Sequence, residues 1–190
     1  MSGLGKRFEG ALAYAARLHR QQTRKGSQTP YIAHLLAVTA LVLEAGGGED
    51  EAIAALLHDA VEDQGGYQRL EDIRTRFGGR VADIVAACSD AFVTPKPPWR
   101  ERKEAYLAHL KDAPPEVRRV SLADKLHNAR SLLRDYRRQG EVTFERFNGG
   151  RDGTLWYYRA LAEIFQATDD DDLSRELVRV VEKLEALAAR

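Results

Sequence analysis

The stretch Leu56-Leu57-His58-Asp59-Ala60-Val61-Glu62-Asp63 places four ionisable side chains within six residues, at the end of an apolar run that begins near Ala52. Residues three and four apart share a helix face, so a helix through this stretch sets His58 beside Glu62, and Asp59 beside Glu62 and Asp63. Charges are rarely buried unless they are paired or bind a metal. A chain that drives an apolar helix into such a cluster must either end that helix in solvent or gather partners around it.

Partners are present on other segments of helical period. A first helix, about Gly5 to Gln21, carries Phe8, Leu12, Ala15 and His19 on one stripe, which makes His19 a hydrogen-bonded core residue. The polar, Gly-containing run Arg20 to Gln28 is a loop presenting Arg24 and Lys25. Thr29-Pro30 then supplies an N-cap and a first-turn proline for a second helix, with His34, Val38, Leu41, Val42 and Ala45 on its inner stripe. Gly46-Gly47-Gly48 ends it, the third helix carries the His58 cluster, and Gln64-Gly65-Gly66 stops that helix in turn.

Short helices are expected over Leu70–Arg76 and Arg80–Ser89, the latter with Cys88 facing inward as a packing residue rather than a nucleophile. The Pro-rich stretch Phe92 to Trp99 is a stiff loop. With Lys96, Arg100, Arg102 and Lys103 it either overhangs an anionic ligand or simply leads into the helix Arg100–Lys111. Pro114-Pro115 opens a long helix reaching about Arg138. In it Asp124, His127, Asn128 and Ser131 share a face, and Asp124 sits amid Val117, Val120, Leu122, Ala123 and Leu126.

Residues 140–153 form a looser segment, followed by an aromatic-rich helix Thr154–Phe165. The acidic run Asp169 to Asp172 marks the start of a last helix, where negative charge suits the dipole. The apolar stripe of that helix docks either on the body or on a second copy, as in a homodimer. No stretch alternates apolar and polar residues. The expected fold is all-α: a single domain over residues 1–190, of about nine helices, with a core over about 5–138 and C-terminal helices over about 154–188 packed on it.

Composition removes several classes. Twenty-nine basic and 29 acidic residues cancel, so no general attraction to nucleic acid or to an anionic membrane is expected. The single cysteine excludes an intrachain disulfide and a Cys-based zinc site, and it is compatible with a cytoplasmic location. The N-terminus lacks a signal-peptide pattern, and the longest apolar run, Leu35 to Leu43, is too short to span a bilayer.

His34, His58, Asp59 and Asp124 thus come from three helices and all face inward. Two imidazoles with two carboxylates suit Mn²⁺, with zinc, iron or another divalent metal left open. The order His, His-Asp, Asp resembles the HD superfamily of metal-dependent phosphohydrolases. A longer match is to the hydrolase domain of the RelA/SpoT homologues, and most of all to small stand-alone alarmone hydrolases. It rests on Arg24-Lys25 ahead of Pro30-Tyr31-Ile32-Ala33-His34, on Ala55 to Asp63, on Phe77-Gly78-Gly79-Arg80-Val81, on Arg102-Lys103 and on Leu122 to Arg130. These pieces span about residues 14 to 135; the Pro-rich loop and residues 140–190 match less well.

The resemblance implies that His34, His58, Asp59 and Asp124 hold Mn²⁺ and that Glu62 and Asp63 orient or deprotonate the attacking water. It further implies that Arg24, Lys25 and Asn128 contact a nucleotide, with Arg130 and Lys103 in support. The implied reaction is hydrolysis of the 3′-pyrophosphate of ppGpp or pppGpp, giving pyrophosphate and GDP or GTP. The synthetase and regulatory domains of the long homologues have no room in 190 residues. Two other functions stay open on sequence: a related phosphohydrolase acting on ppApp or NADPH, and a non-catalytic module that binds an alarmone.

Overall fold

The computed structural model describes residues 3–89, 95–169 and 171–189. The Phe92 to Thr94 part of the Pro-rich stretch, and Asp170 of the acidic run, lie outside the described residues. The fold is all-α. Among the described residues the only β-pairing is an isolated antiparallel bridge between Thr23 and Pro30.

The helices are α1 (Lys6–Leu18), α2 (Ile32–Glu44), α3 (Glu49–Leu57), α4 (Ala60–Asp63), α5 (Gly66–Phe77), α6 (Gly79–Cys88), α7 (Trp99–Asp112), α8 (Pro115–Gln139), α9 (Gly150–Thr168) and α10 (Asp172–Ala188), with a 3-10 segment over Gly140–Arg146 before α9. They fall into two compact units. The first holds residues up to Lys96 together with Ala113–Ala123; the second holds Pro97–Asp112 and Asp124–Arg190.

In the first unit α3 is the central element, packed against α1, α2 and α6. It has no polar face after its first turn: Ala52, Ile53, Ala54, Ala55, Leu56 and Leu57 are all fully buried. Three alanines let neighbouring helices approach, while Ile53, Leu56 and Leu57 each contribute roughly 1.5–3 kcal/mol by leaving water. The polar start of α3 is tied down. Glu51 accepts from the Gly48 amide at 2.8 Å, closing a capping turn. Glu51 also pairs with Arg119, so the first turns of α8 are anchored to α3. Glu49 accepts from the Gly5 amide at 2.7 Å. Gly78 joins α5 to α6 with φ +96°, a conformation that only glycine adopts cheaply. Cys88 is buried, with Sγ 3.5 Å from the Ser121 hydroxyl, in keeping with a packing role.

The second unit is built on α9, which packs against α7, α10 and the 3-10 segment. Trp99 lies against a bare stretch of backbone: a Cβ at Gly149 would come within 2.6 Å of its ring and one at Gly153 within 3.1 Å. The indole therefore needs glycine at Gly149. Asp171 caps α10, accepting from the Ser174 amide at 2.8 Å, as the acidic run leads one to expect.

Several helix boundaries differ from expectation: α1 ends at Leu18, α5 already begins at Gly66 and α9 at Gly150, and two further differences bear on the site. The third predicted helix is broken into α3 and α4 at His58-Asp59. Helix α2 begins at Ile32 rather than at Pro30, because the Tyr31 amide donates to the Gln22 carbonyl at 2.9 Å and the Arg24 amide to the Thr29 carbonyl at 2.9 Å. These two bonds draw Thr29 and Pro30 into the bridge and close the loop that presents Arg24 and Lys25.

Candidate metal centre

The break between α3 and α4 has a local cause. His58 Nδ1 lies 2.8 Å from the Ala55 carbonyl, the acceptor that the Asp59 amide would use in a continuing helix. The imidazole takes that position and the chain turns, so His58 and Asp59 leave the helix together. A carbonyl can only accept, so Nδ1 carries the hydrogen, and in a neutral ring Nε2 is left with the lone pair that a metal needs.

Nε2 of His58 lies 3.0 Å from Asp59 Oδ2, and Nε2 of His34 lies 3.5 Å from the same oxygen. The two imidazole rings are edge to face with centroids 5.2 Å apart. One ligand atom from each of His34, His58 and Asp59 falls within 4.8 Å of the others, a separation that a single ion can bridge. His34 and His58 are 1% and 3% exposed, whereas the Asp59 side chain is 23% exposed, so the trio opens to solvent on its carboxylate side. Two imidazole nitrogens and a carboxylate oxygen are suitable donors for a first-row divalent cation.

Tyr31 completes this arrangement. Its hydroxyl donates to Asp59 Oδ2 at 2.5 Å, and its ring lies edge-on to His34 at 5.6 Å. Burial, followed by the charge of Asp59, pushes the Tyr31 hydroxyl above its ordinary pKa, so the phenol stays a donor. Its position three residues before His34 was the signal available in the sequence, where a tyrosine at a helix start reads as packing.

The acidic pair sits on α4. Glu62 is met by Lys96, with Nζ 3.0 Å from Oε2. A cation of the Pro-rich loop is thereby placed on an acidic side chain. Asp63 Oδ2 accepts from Gln22 at 2.7 Å. Burial first, then the nearby Asp59 charge, pushes the Asp63 carboxyl above the ordinary carboxylate range, while the Gln22 bond pulls it back down. Arg24 lies over the Tyr31 ring at 5.6 Å. Its neighbour Lys25 stands in the turn that Gly26 allows, with φ +79°.

In the second unit Asp124 is 5% exposed. Its Oδ2 accepts from Lys125 at 2.7 Å and its Oδ1 from Asn128 at 2.6 Å. The Lys125 ammonium lies 5.0 Å from the Tyr106 ring. Burial works against its charge, yet Asp124 and the neighbouring tyrosines hold its pKa well above the ordinary value. Lys103 lies over the Tyr157 ring at 4.9 Å. Arg130 reaches α10, pairing with Glu176 at 2.6 Å. Sequence reasoning missed Lys125, because a lysine beside an aspartate on a helix reads as solvent-facing.

The HD domain family profile matches residues 11–155 of the chain. The guanosine-3′,5′-bis(diphosphate) 3′-pyrophosphohydrolase MESH1 of Xenopus tropicalis is 41% identical over 127 residues, covering 65% of this chain and 68% of that protein. The human MESH1 is 39% identical over the same length. A solved structure described as a metazoan orthologue of SpoT that hydrolyses ppGpp superposes with a TM-score of 0.79 at 28% identity, over 96% of this chain and 98% of that one. A Listeria monocytogenes structure superposes with a TM-score of 0.70, also at 28% identity, over 83% of this chain and 99% of its own. With the profile running through most of the sequence and the His-Asp trio at its centre, the chain belongs to the HD domain family.

Proposed function

We propose that this protein is a metal-dependent hydrolase that removes the 3′-pyrophosphate of ppGpp or pppGpp, giving pyrophosphate and GDP or GTP. The observation that carries the reading is the His34–His58–Asp59 trio with Glu62 and Asp63 on the next turn, in a chain 41% identical to a 3′-pyrophosphohydrolase. The family match runs through both compact units, which supports treating residues 1–190 as one hydrolase domain.

Asp124 is proposed as a fourth ligand. Its burial and its place in the Leu122-to-Arg130 segment, inside the matched stretch, support this. Mn²⁺ is the proposed ion because the set mixes nitrogen and carboxylate donors. When bound, a divalent cation supplies Lewis acidity toward a phosphoryl oxygen and acidifies water.

The chain's own residues account for the rest. The water oxygen bonds to the phosphorus attached to the ribose 3′-oxygen, and the bond from that phosphorus to the 3′-oxygen breaks. Glu62 and Asp63 orient the water and take its proton. The 3′-oxygen ends as a hydroxyl and pyrophosphate departs intact. Arg24, Lys25, Lys103, Asn128 and Arg130 are assigned to the nucleotide and its phosphates, where fixed cations and donors oppose the charge that builds on the phosphoryl group. A cytoplasmic location belongs to the same proposal, supported by the single buried cysteine, Cys88. Among the described residues no helix is long and apolar enough to cross a membrane.

The test is to incubate ppGpp, ppApp, GTP, GMP and NADPH separately with protein and Mn²⁺ and to separate the products by anion exchange. GDP and pyrophosphate from ppGpp are expected. Orthophosphate from NADPH with ppGpp untouched would make the protein a different HD phosphohydrolase. Metal binding without turnover of any of the five would make it a binding module.

A further inference from the structure

His19 and Gln22 are wired to the acidic pair without belonging to the ligand trio. His19 closes α1 and is 1% exposed. Its Nδ1 lies 2.7 Å from Gln22 Oε1. Gln22 Nε2 donates to Asp63 Oδ2 at 2.7 Å, and Gln64 Nε2 donates to Gln22 Oε1 at 3.0 Å. A carboxamide has one donating end and one accepting end, and an ionised carboxylate only accepts. The NH₂ end of Gln22 must therefore face Asp63, and its oxygen must face His19, so His19 Nδ1 carries the hydrogen.

Two further features hold the imidazole in that role. Its face is stacked on Tyr31, with centroids 5.3 Å apart and planes 20° from parallel, which resists rotation of the ring. Its Nε2 is buried with no hydrogen-bond partner among the described residues. Moving the hydrogen to Nε2 would strand a buried donor and set two acceptors against each other at Gln22. The backbone fixes Gln22 as well: its amide donates to the His19 carbonyl at 3.0 Å and its carbonyl accepts from Tyr31 at 2.9 Å.

We propose that His19 is a positioning residue for the hydrolysis, acting through Gln22: its Nδ1 hydrogen fixes which end of the Gln22 carboxamide meets Asp63, and so holds Asp63 as an ionised acceptor in one orientation. The inference rests on the function proposed above, in which Asp63 handles the proton of the attacking water. Without the Nδ1 donor only the Gln64 amide, at 3.0 Å, is left to hold the Gln22 oxygen, and the carboxamide flips more readily. Asp63 then faces a carbonyl oxygen, and it must turn away or take up a proton; either change removes it from the reaction.

The test uses the full chain loaded with Mn²⁺. His19→Leu removes the donor, while His19→Asn places an NH₂ group near the position of Nδ1. His19→Leu should lower kcat by about 10–100-fold, the usual penalty for an outer-shell partner, with KM and bound metal unchanged. His19→Asn should restore most of that loss. His19→Leu combined with Gln22→Leu should be no slower than Gln22→Leu alone. Gln22 is less buried, so Gln22→Leu carries the kcat-against-KM test where His19→Leu fails to fold. Nitrogen-15 NMR of the histidine-labelled wild type, which needs no substrate, should show His19 as the Nδ1–H tautomer.

An Nε2–H tautomer, equal losses in His19→Asn and His19→Leu, loss of metal in place of kcat, or additive losses in the double variant would each overturn the role of His19. A wild type that turns over no nucleotide would defeat the proposed function itself, and the positioning role with it. Turnover by the wild type with any of the other contrary results defeats only the role of His19.

Discussion

Two carboxylates in this molecule, Asp59 half-buried and Asp124 buried, have different surroundings. Asp59 is met by two imidazole nitrogens and a phenol. Asp124 is met by an ammonium group one residue away and a carboxamide four residues away. Imidazoles and a phenol orient the Asp59 carboxylate beside two ring nitrogens, an arrangement that suits an added cation. An adjacent lysine supplies the counter-charge within the chain, so the second is compensated before any metal arrives. A lysine at the next position thus gives Asp124 a counter-charge within the chain, which a metal bound there would have to share or displace. The difference shows in side chains the ligand motif does not contain, Tyr31 and Lys125.

Substitutions on each side of this contrast should separate the two kinds of site. The largest effect is expected beside the trio: Glu62→Gln should keep the bound metal and lower kcat by about 10²–10⁴-fold. Elemental analysis and steady-state kinetics on the same preparation check this, and loss of metal would make Glu62 a ligand. Next comes Lys125→Met, which leaves Asp124 buried without its ammonium and should destabilise the metal-free protein by about 3–5 kcal/mol. The loss should shrink when Mn²⁺ is present, if Asp124 joins the site. Urea unfolding with and without chelator reads both, and a cost below about 1 kcal/mol in the absence of metal would mean that Asp124 has a second source of compensation.

Tyr31→Phe removes only the hydroxyl that donates to Asp59. It should weaken metal binding by about 10–100-fold, measured by competition with a metal chelator, while leaving the Lys125–Asp124 pair untouched. An unchanged affinity would reduce Tyr31 to packing against His34. The smallest effect belongs to the loop cations. Arg24→Ala and Lys25→Ala should raise KM with kcat nearly unchanged and flatten its dependence on salt. Identical kinetics at low and high ionic strength in wild type and variants would return both side chains to an ordinary solvated loop.

Much of the fold was legible because its punctuation is local. Gly78 needs its positive φ, Pro114-Pro115 can only open a helix, and Asp171 finds its capping partner three residues on; each was readable from neighbours in sequence. The inward faces of α2 and α6 followed from period alone, which set His34 and Cys88 inside. What sequence did not disclose are side-chain and loop backbone bonds that overrule the helical period. The turn at His58-Asp59 depends on an imidazole taking the Ala55 carbonyl, and the late start of α2 depends on the Gln22 and Thr29 carbonyls accepting from the Tyr31 and Arg24 amides across a loop. The Lys96–Glu62 pair joins residues 34 apart in sequence. Helical spacing identified His34, His58 and Asp59 as inward-facing, but a period of 3.6 holds no information about contacts between different helices.

The central claim is that His34, His58 and Asp59 hold a divalent cation that the hydrolysis of ppGpp requires. The most direct measurement is a titration of chelator-stripped protein with Mn²⁺, following bound metal by elemental analysis and pyrophosphate release from ppGpp on the same samples. The account predicts that both rise together and saturate together, and that His58→Ala abolishes both. Full pyrophosphate release from stripped protein, or wild-type metal binding and turnover in His58→Ala, would contradict it.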